Sequence, residues 1–270
     1  MKLSLAYSPC PNDTFMFDAL VHHKVDTEGL DFEVHLHDVE ALNQMALKHE
    51  MSVTKLSFNA FLLVYKRYAL LSSGSALGEK CGPLLICKQN QNTTFNTQSL
   101  VAIPGRYTTA NSLFSLAYPN HKNTKEMLFS EIEDAVLNGD VDAGVIIHEN
   151  RFTYQDKGLQ KIIDLGEYWE EQTQLPIPLG GIVVSKSLDR SIQQKVQRVL
   201  KRSIAFAFEN PNASLNYVKQ HAQEMDIEVM KNHIQLYVNA YSMNLGDKGR
   251  AAIHYLFDRK GLSQNELDII

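Results

Sequence analysis

The chain has 270 residues, of which 44% are hydrophobic and 21% are charged, an ordinary composition for a globular protein with a sizeable core. Its 26 basic and 31 acidic residues give a formal charge of −5 with no basic cluster, which argues against nucleic acid as a partner. Three cysteines are too few for a disulfide framework and lack zinc-site spacing, so no metal is expected. The N-terminus lacks a signal-peptide pattern and no stretch is apolar enough to span a membrane, which predicts a cytoplasmic protein without a membrane partner.

Strand patterns alternate with helical patterns from the N-terminus to about residue 186. The predicted strands are residues 3–7, 32–36, 53–57, 84–87, 100–103, 143–147 and 181–184. The clearest helical patterns among them cover residues 14–23, 39–49, 60–68 and 111–118. This alternation predicts an α/β protein with largely parallel sheets.

The C-terminal part has a different pattern, with four successive predicted helices at residues 187–210, 211–223, 227–241 and 247–259. Two strand patterns, 83–88 and 180–186, bracket a middle block that has its own alternation of strands and helices. We therefore expect two lobes, one from residues 1–87 and 184–270 and the other from residues 88–183. Such a layout places a cleft between the lobes and permits hinge closure.

The segments that follow the predicted strands are the candidate sites, because ligands of open α/β sheets bind beyond the carboxyl ends of strands. After the first strand, Asn12 and Asp13 either cap the next helix or, together with Thr14, face the cleft. Lys55 is either a solvated charge or a cleft residue, and Ser57 is either a helix cap or a ligand contact.

A further candidate segment follows the strand at residues 100–103. Gly105 allows a tight turn there, and Thr108 and Thr109 place two hydroxyl groups at a helix start. This arrangement predicts a site for a carboxylate or a hydroxyl-rich ligand, with helix capping alone as the alternative. Arg106 and Arg151 are candidate cationic residues of the same cleft.

His148 stands directly after the apolar run of residues 143–147. Apolar walls would keep an imidazole neutral, as a general base requires near pH 7, and its unperturbed pKa of about 6.5 would set the acid limb of activity. A structural histidine is the alternative. No second histidine follows at the spacing of a zinc protease helix, and no dinucleotide fingerprint or P-loop occurs, so no cofactor is expected. From these residues alone, a solute-binding protein and a cofactor-free enzyme both remain open, each with a small-molecule ligand.

Several motifs recur in order along almost the whole chain. They are SPCPNDTF (8–15), DVE (38–40), TKLS (54–57), GPL (82–84), PGR (104–106), TTA (108–110), IIHE (146–149), RFTY (151–154), DLG (164–166), LP (175–176) and YVNA (237–240). In these motifs the sequence closely resembles the 1,4-dihydroxy-6-naphthoate synthase family of the futalosine route to menaquinone.

The resemblance implies a two-lobed periplasmic-binding-protein-like (type II) fold with a central cleft and a helical C-terminal part. It also implies cleavage of cyclic dehypoxanthinyl futalosine to 1,4-dihydroxy-6-naphthoate and dihydroxyacetone without a cofactor. By the same resemblance, His148 is the proton acceptor, and the substrate contacts are Lys55, Leu56, Ser57, Thr109 and Ala110, to which the helix-start argument adds Thr108. The sister enzyme that dehydrates chorismate shares the fold and is the alternative within the resemblance. The oligomeric state is open.

Overall fold

The computed structural model describes residues 1–89, 95–148, 150–222 and 226–270. The strands are β1 Lys2–Tyr7, β2 Asp31–Leu36, β3 Val53–Ser57, β4 Tyr68–Leu70, β5 Ala76–Gly78, β6 Leu84–Lys88, β7 Val101–Ile103, β8 Thr124–Glu126, β9 Ala143–Ile146, β10 Leu159–Asp164 and β11 Ile177–Ser185. The helices are α1 Pro11–Val21, α2 Val39–Lys48, α3 Phe58–Val64, α4 Thr109–Ala117, α5 Ile132–Asn138, α6 Asn150–Thr153, α7 Leu165–Thr173, α8 Arg190–Glu209, α9 Leu215–His221, α10 Ile227–Tyr237, α11 Ala240–Met243 and α12 Gly246–Arg259.

Two mixed sheets form the framework. The first has the order β2-β1-β3-β11-β4, with β5 also paired to β11, and the second has the order β10-β6-β9-β7-β8. The α/β class is confirmed, but the expectation of largely parallel sheets is wrong. Within the first sheet β11 is antiparallel to β3, β4 and β5, and within the second β6 is antiparallel to β9 and β10. Two parallel neighbours in a sheet are joined by a crossover connection, usually a helix. Neither β11 nor β6 is joined to its antiparallel neighbours by such a crossover. The lobe boundaries at residues 87/88 and 183/184 stay a prediction.

Each sheet is covered by helices on both faces because its central strands are apolar on both sides. Along β11, Ile182 and Val184 pack against α1 and α8, whereas Val183 points to the opposite face and packs against α3 and α12. The second sheet packs α4 and α7 on one face and α5 on the other. No described helix is both long and apolar enough to cross a bilayer.

Trp169, the only tryptophan in the sequence, lies in α7 and is 1% exposed. Its indole N–H donates to the carbonyl of Pro176 at 3.2 Å. The ring also meets Tyr255 of α12 edge to face, with 5.3 Å between the ring centroids. Since α7 covers the second sheet and α12 covers the first, this contact joins the two halves of the fold, each half being one sheet with its covering helices.

Several element boundaries differ from the sequence prediction for local reasons. The helix expected at 60–68 begins at Phe58 and ends at Val64, because Tyr68–Leu70 is fully buried and pairs with β11 as strand β4. The helix expected at 227–241 ends at Tyr237, since the side chain of Asn239 caps a new short helix, α11. The helix expected at 211–223 is confined to Leu215–His221 in the described part, and residue 223 lies outside the described residues.

Candidate active site

A cavity of about 90 Å³, open to solvent on one side, lies between the two sheets. In the first sheet β1 runs parallel to β3, and in the second β7 runs parallel to β9, so the loops after these strands emerge at common edges and reach the cavity. The predicted site residues that line it are Asn12, Lys55, Leu56, Ser57, Thr108, Thr109, Ala110 and His148. The carboxyl end of β3 and the segments that follow β1, β7 and β9 therefore converge on one space.

A buried ion pair anchors the first-sheet side of the cavity. Lys55 Nζ lies 2.7 Å from Asp13 Oδ1, and the two residues are 7% and 0% exposed. Asp13 also accepts hydrogen bonds from the backbone and hydroxyl of Ser8 at 3.1 and 2.7 Å. Lys55 is thus no solvated surface charge. Asp13 is no helix cap either, because α1 begins at Pro11 after Cys10 and has no side-chain cap.

His148 follows strand β9 and has an unusual backbone conformation. Its φ is +58°, a left-handed conformation that is uncommon outside glycine. Its ring lies 4.9 Å from that of Phe129 and 6.0 Å from that of His233, measured between centroids. Its Nε2 is buried and has no hydrogen-bond partner in the described parts of the chain. Burial lowers the pKa of His148 to about 4, so the ring is neutral near pH 7.

His233 is a site residue that the sequence reasoning missed. It lies in α10 with an exposure of 0%, and its Nε2 is 2.9 Å from Asn12 Oδ1. Burial lowers its pKa well below the ordinary value. The available signal was the spacing of Met230, His233 and Tyr237, which places a histidine on the buried face of an amphipathic helix.

The start of α4 forms the second-sheet side of the cavity. Thr108 caps this helix, since its hydroxyl oxygen accepts from the N–H of Asn111 at 3.1 Å. The Thr109 hydroxyl donates to the Leu179 carbonyl at 2.6 Å. That donor is already used, so the N–H groups of Thr109 and Ala110 in the first helical turn are the better candidates to bind an anion.

Glu40 of α2 contacts the loop that precedes α4 from the side of the first sheet. Its Oε2 accepts from the N–H of Tyr107 at 3.1 Å, and a Cβ placed on Gly105 would come within 2.5 Å of the same carboxylate. Glu40 is 9% exposed, and burial raises its pKa. Asn59 adds a second link, donating from Nδ2 to the Tyr107 carbonyl at 3.3 Å.

Three further candidates do not line the cavity. The Thr14 hydroxyl donates to the Cys10 carbonyl at 3.0 Å, within α1. Arg106 is largely exposed and pairs with Glu126 at 3.3 Å. Arg151 pairs with Asp164 at 2.7 Å and so ties the segment after His148 to the start of α7. Glu149, which follows His148 in the sequence, lies outside the described residues.

Among the residues that the structure describes, the cavity lining contains one cysteine, Cys81. Burial raises the pKa of this thiol to about 12, so it is not a thiolate nucleophile near pH 7. Within the described ranges, no three histidine, cysteine, aspartate or glutamate residues are grouped as metal ligands would be. Independence of a cofactor stays a prediction, which the assay proposed below tests directly.

The two sheets and the cavity between them define the class of the fold. The structure superposes on the alkanesulfonate-binding protein SsuA of Xanthomonas axonopodis with a TM-score of 0.71 over 98% of this chain and 94% of that one, at 12% identity. A Candida albicans protein described as having the generic periplasmic binding protein fold gives a TM-score of 0.69 over 100% and 96%, also at 12% identity. The chain thus has a periplasmic-binding-protein-like fold, as expected.

The family follows from closer matches. A family model described as menaquinone biosynthesis matches residues 3–261. The chain is 43% identical to the 1,4-dihydroxy-6-naphthoate synthase of Thermus thermophilus, over 94% of this chain and 92% of that protein. Identity to the synthase of the same name from Streptomyces coelicolor is also 43%, over 95% and 92%. The chain belongs to this menaquinone biosynthesis family.

Proposed function

We propose that the protein is a 1,4-dihydroxy-6-naphthoate synthase, which cleaves a carbon–carbon bond of cyclic dehypoxanthinyl futalosine to give 1,4-dihydroxy-6-naphthoate and dihydroxyacetone. The observation that carries this proposal is the neutral His148, which lines a cavity together with all the expected contact residues and whose buried Nε2 has no hydrogen-bond partner among the described residues. A buried acceptor of this kind gains a hydrogen bond when a substrate hydroxyl or C–H donor occupies the cavity.

His148 acts as the general base in this proposal. It removes one proton from the substrate, which starts carbon–carbon cleavage of the spiro sugar, and aromatisation of the bicycle makes the step favourable. A single base contributes about 10²–10⁴-fold to the rate, so positioning of the substrate supplies much of the rest. The first-turn N–H groups of Thr109 and Ala110 bind the carboxylate, and Ser57 contacts the substrate from the opposite wall.

The test incubates pure protein with the cyclic substrate, with and without prior dialysis against a chelator, and follows both products by chromatography. We expect turnover in both samples and a loss of about two to four decades of kcat in His148→Asn. His254→Asn is the matched control, because this histidine lies in α12 and does not line the cavity. Consumption of chorismate with the cyclic compound left intact, or tight binding without turnover, would overturn the proposal.

We also infer that the reaction takes place in the cytoplasm. None of the three cysteines is in a disulfide, and two of them, Cys10 and Cys81, are buried, which suits a reducing compartment. Fractionation of cells that produce the tagged protein at its natural level tests this inference, and recovery with periplasmic markers would contradict it.

A further inference from the structure

The starting observation is the packing of two histidine rings beside the cavity. The rings of His148 and His233 are nearly parallel, with an interplanar angle of 22° and 6.0 Å between centroids. His233 also contacts Tyr237, and the centroids of these two rings are 4.7 Å apart. Of this group, His148 and Tyr237 line the cavity, whereas His233 is completely buried and does not.

The orientation of His233 is determined by a chain of hydrogen bonds that begins at a charge. Lys55 holds Asp13 as an ion pair, and the Asp13 carboxylate accepts from Asn12 Nδ2 at 2.8 Å. Because a carboxylate only accepts, the amide nitrogen of Asn12 faces Asp13 and its oxygen faces His233. Nε2 of His233 must therefore carry the proton and donate it to Asn12 Oδ1 at 2.9 Å. This fixes one neutral tautomer and one ring orientation.

His148 has no comparable hydrogen bond at Nε2 from any described residue. Rotation of an imidazole about its second side-chain torsion is broad and weakly restricted, so the plane of this ring must be set by packing. Among the described residues, its aromatic neighbours are Phe129, which meets it edge to face, and His233, which lies against its face. A ring that has to deliver its lone pair to a substrate needs a fixed plane.

We propose that His233 is a positioning residue for proton transfer at His148: held by Asn12, it stacks on the His148 ring and fixes the plane in which that ring meets the substrate. The proposal rests on the assignment of His148 as the general base. It gives the Lys55–Asp13–Asn12 chain a role in the reaction, since that chain determines the orientation of His233.

The charged and titratable groups around His148 are those that a pH experiment has to consider. Among the described residues they include Asp13 of α1, Asp38 before α2, Lys55 of β3 and His233 of α10. Of these, His233 is the one that stacks on the ring, so its replacement by an uncharged side chain changes geometry and leaves the three fixed charges in place.

Two variants separate the stacking ring from the hydrogen bond. His233→Gln keeps a donor for Asn12 but removes the ring, and we expect kcat to fall roughly tenfold to hundredfold with a KM within about threefold of wild type. His233→Phe keeps the ring but loses the donor to Asn12, which lowers the melting temperature. Its kcat is expected to recover to at least about tenfold above that of His233→Gln.

The matched control is His121→Gln. His121 is also buried, at 6% exposure, and its ring is also stacked, 5.5 Å from Phe95, but it does not line the cavity. This variant should lower the melting temperature with an unchanged kcat per folded molecule. The folded fraction of each variant is measured by circular dichroism before the kinetics, so that lost stability is not mistaken for lost positioning.

Each outcome decides the proposal. A normal kcat per folded molecule in His233→Gln overturns the positioning role, and equal losses in the Gln and Phe variants overturn it as well, in favour of proton transfer by His233 itself. Wild type and His148→Asn are assayed alongside. If wild type does not cleave the cyclic substrate, or if His148→Asn does so normally, the proposed function fails on its own evidence.

Discussion

Burial determines the protonation state of the two stacked histidines. His233 is fully buried, and His148 lines the cavity with its Nε2 buried. Removal from water disfavours the charged forms of both rings, so the pKa of His148 is lowered to about 4 and that of His233 falls well below its usual value. The sequence analysis expected the unperturbed value of about 6.5 for His148. A base with a pKa of about 4 is unprotonated across the physiological range but is intrinsically weaker, which raises the importance of accurate positioning.

The first prediction concerns the pH dependence of catalysis. In the proposed role of general base His148 acts in its neutral form, and protonation removes that form as the pH falls through its pKa, so the acid limb of kcat/KM should lie near pH 4. The measurement uses brief assays after a jump from neutral pH, which separates titration from unfolding. An acid limb near pH 6.5 would show that His148 is solvated in the free enzyme.

The second prediction concerns the buried ion pair. Asp13→Asn keeps the shape of the side chain but leaves the Lys55 ammonium without its counter-ion at 7% exposure, and we expect the free energy of unfolding to fall by about 3–5 kcal/mol. Urea denaturation measures the change. Glu33→Gln is the matched control, because it breaks an exposed pair with Lys2 and should have little effect. Similar results for the two variants would mean that water reaches Lys55.

At the scale of elements, the cavity wall depends on a contact between α2 and the loop that precedes α4. Glu40 accepts a hydrogen bond from the Tyr107 N–H. The Glu40 carboxylate can approach the backbone of Gly105 closely because this residue lacks a Cβ. Gly105 also has a φ of +141°, which side-chain-bearing residues rarely adopt. The glycine predicted to permit a tight turn therefore has a second role, the close approach of Glu40.

The third prediction tests this contact. Gly105→Ala should displace the loop and the first turn of α4 and so raise KM. Overpacking should lower the free energy of unfolding by about 1–3 kcal/mol, and the strain of the φ angle at this position adds to that loss. In Gly139→Ala, the control, φ is +80° and no atom lies within 4 Å of the added Cβ, so only strain of about 1–2 kcal/mol is expected. Steady-state kinetics and thermal melting are measured on both. An unchanged KM in Gly105→Ala would show that the loop does not shape the substrate site.

Local elements with a clear period were predictable from the sequence, whereas contacts between distant residues were not. The bounds of β3 were predicted correctly and those of β2 and α2 to within one residue, because their apolar periods are local signals. The Asp13–Lys55 pair and the Asn12–His233 hydrogen bond join residues 42 and 221 positions apart. Composition and periodicity carry no information about such pairs, so Lys55 remained ambiguous and His233 was missed.

At the scale of the whole molecule, the candidate site draws on residues from Asn12 to Tyr237. The site therefore forms only when the chain has folded almost completely, and its buried neutral histidines tie local chemistry to global stability. In the unfolded chain both histidines ionise with a pKa of about 6.5, whereas in the folded protein the pKa of His148 is about 4 and that of His233 lies well below its usual value.

The fourth prediction follows from this difference. Below about pH 6.5 the unfolded chain binds protons that the folded chain does not, so the free energy of unfolding should fall as the pH drops toward about 4. The limiting slope is about 1.4 kcal/mol per pH unit for each histidine. Urea denaturation between pH 7 and 5 measures it. The double variant His148→Gln, His233→Gln should show a shallower dependence, and an equal slope would place the titrating groups elsewhere.

Trp169 gives the molecule an intrinsic optical reporter. Its indole is the single one in the sequence, and it contacts Tyr255 across the junction between the helices of the two sheets. If the two halves separate when the cavity empties, the indole loses this neighbour and gains water, and its fluorescence should shift to longer wavelength. Stopped-flow emission from the unlabelled protein would then time the opening and closing of the cavity separately from the chemical step.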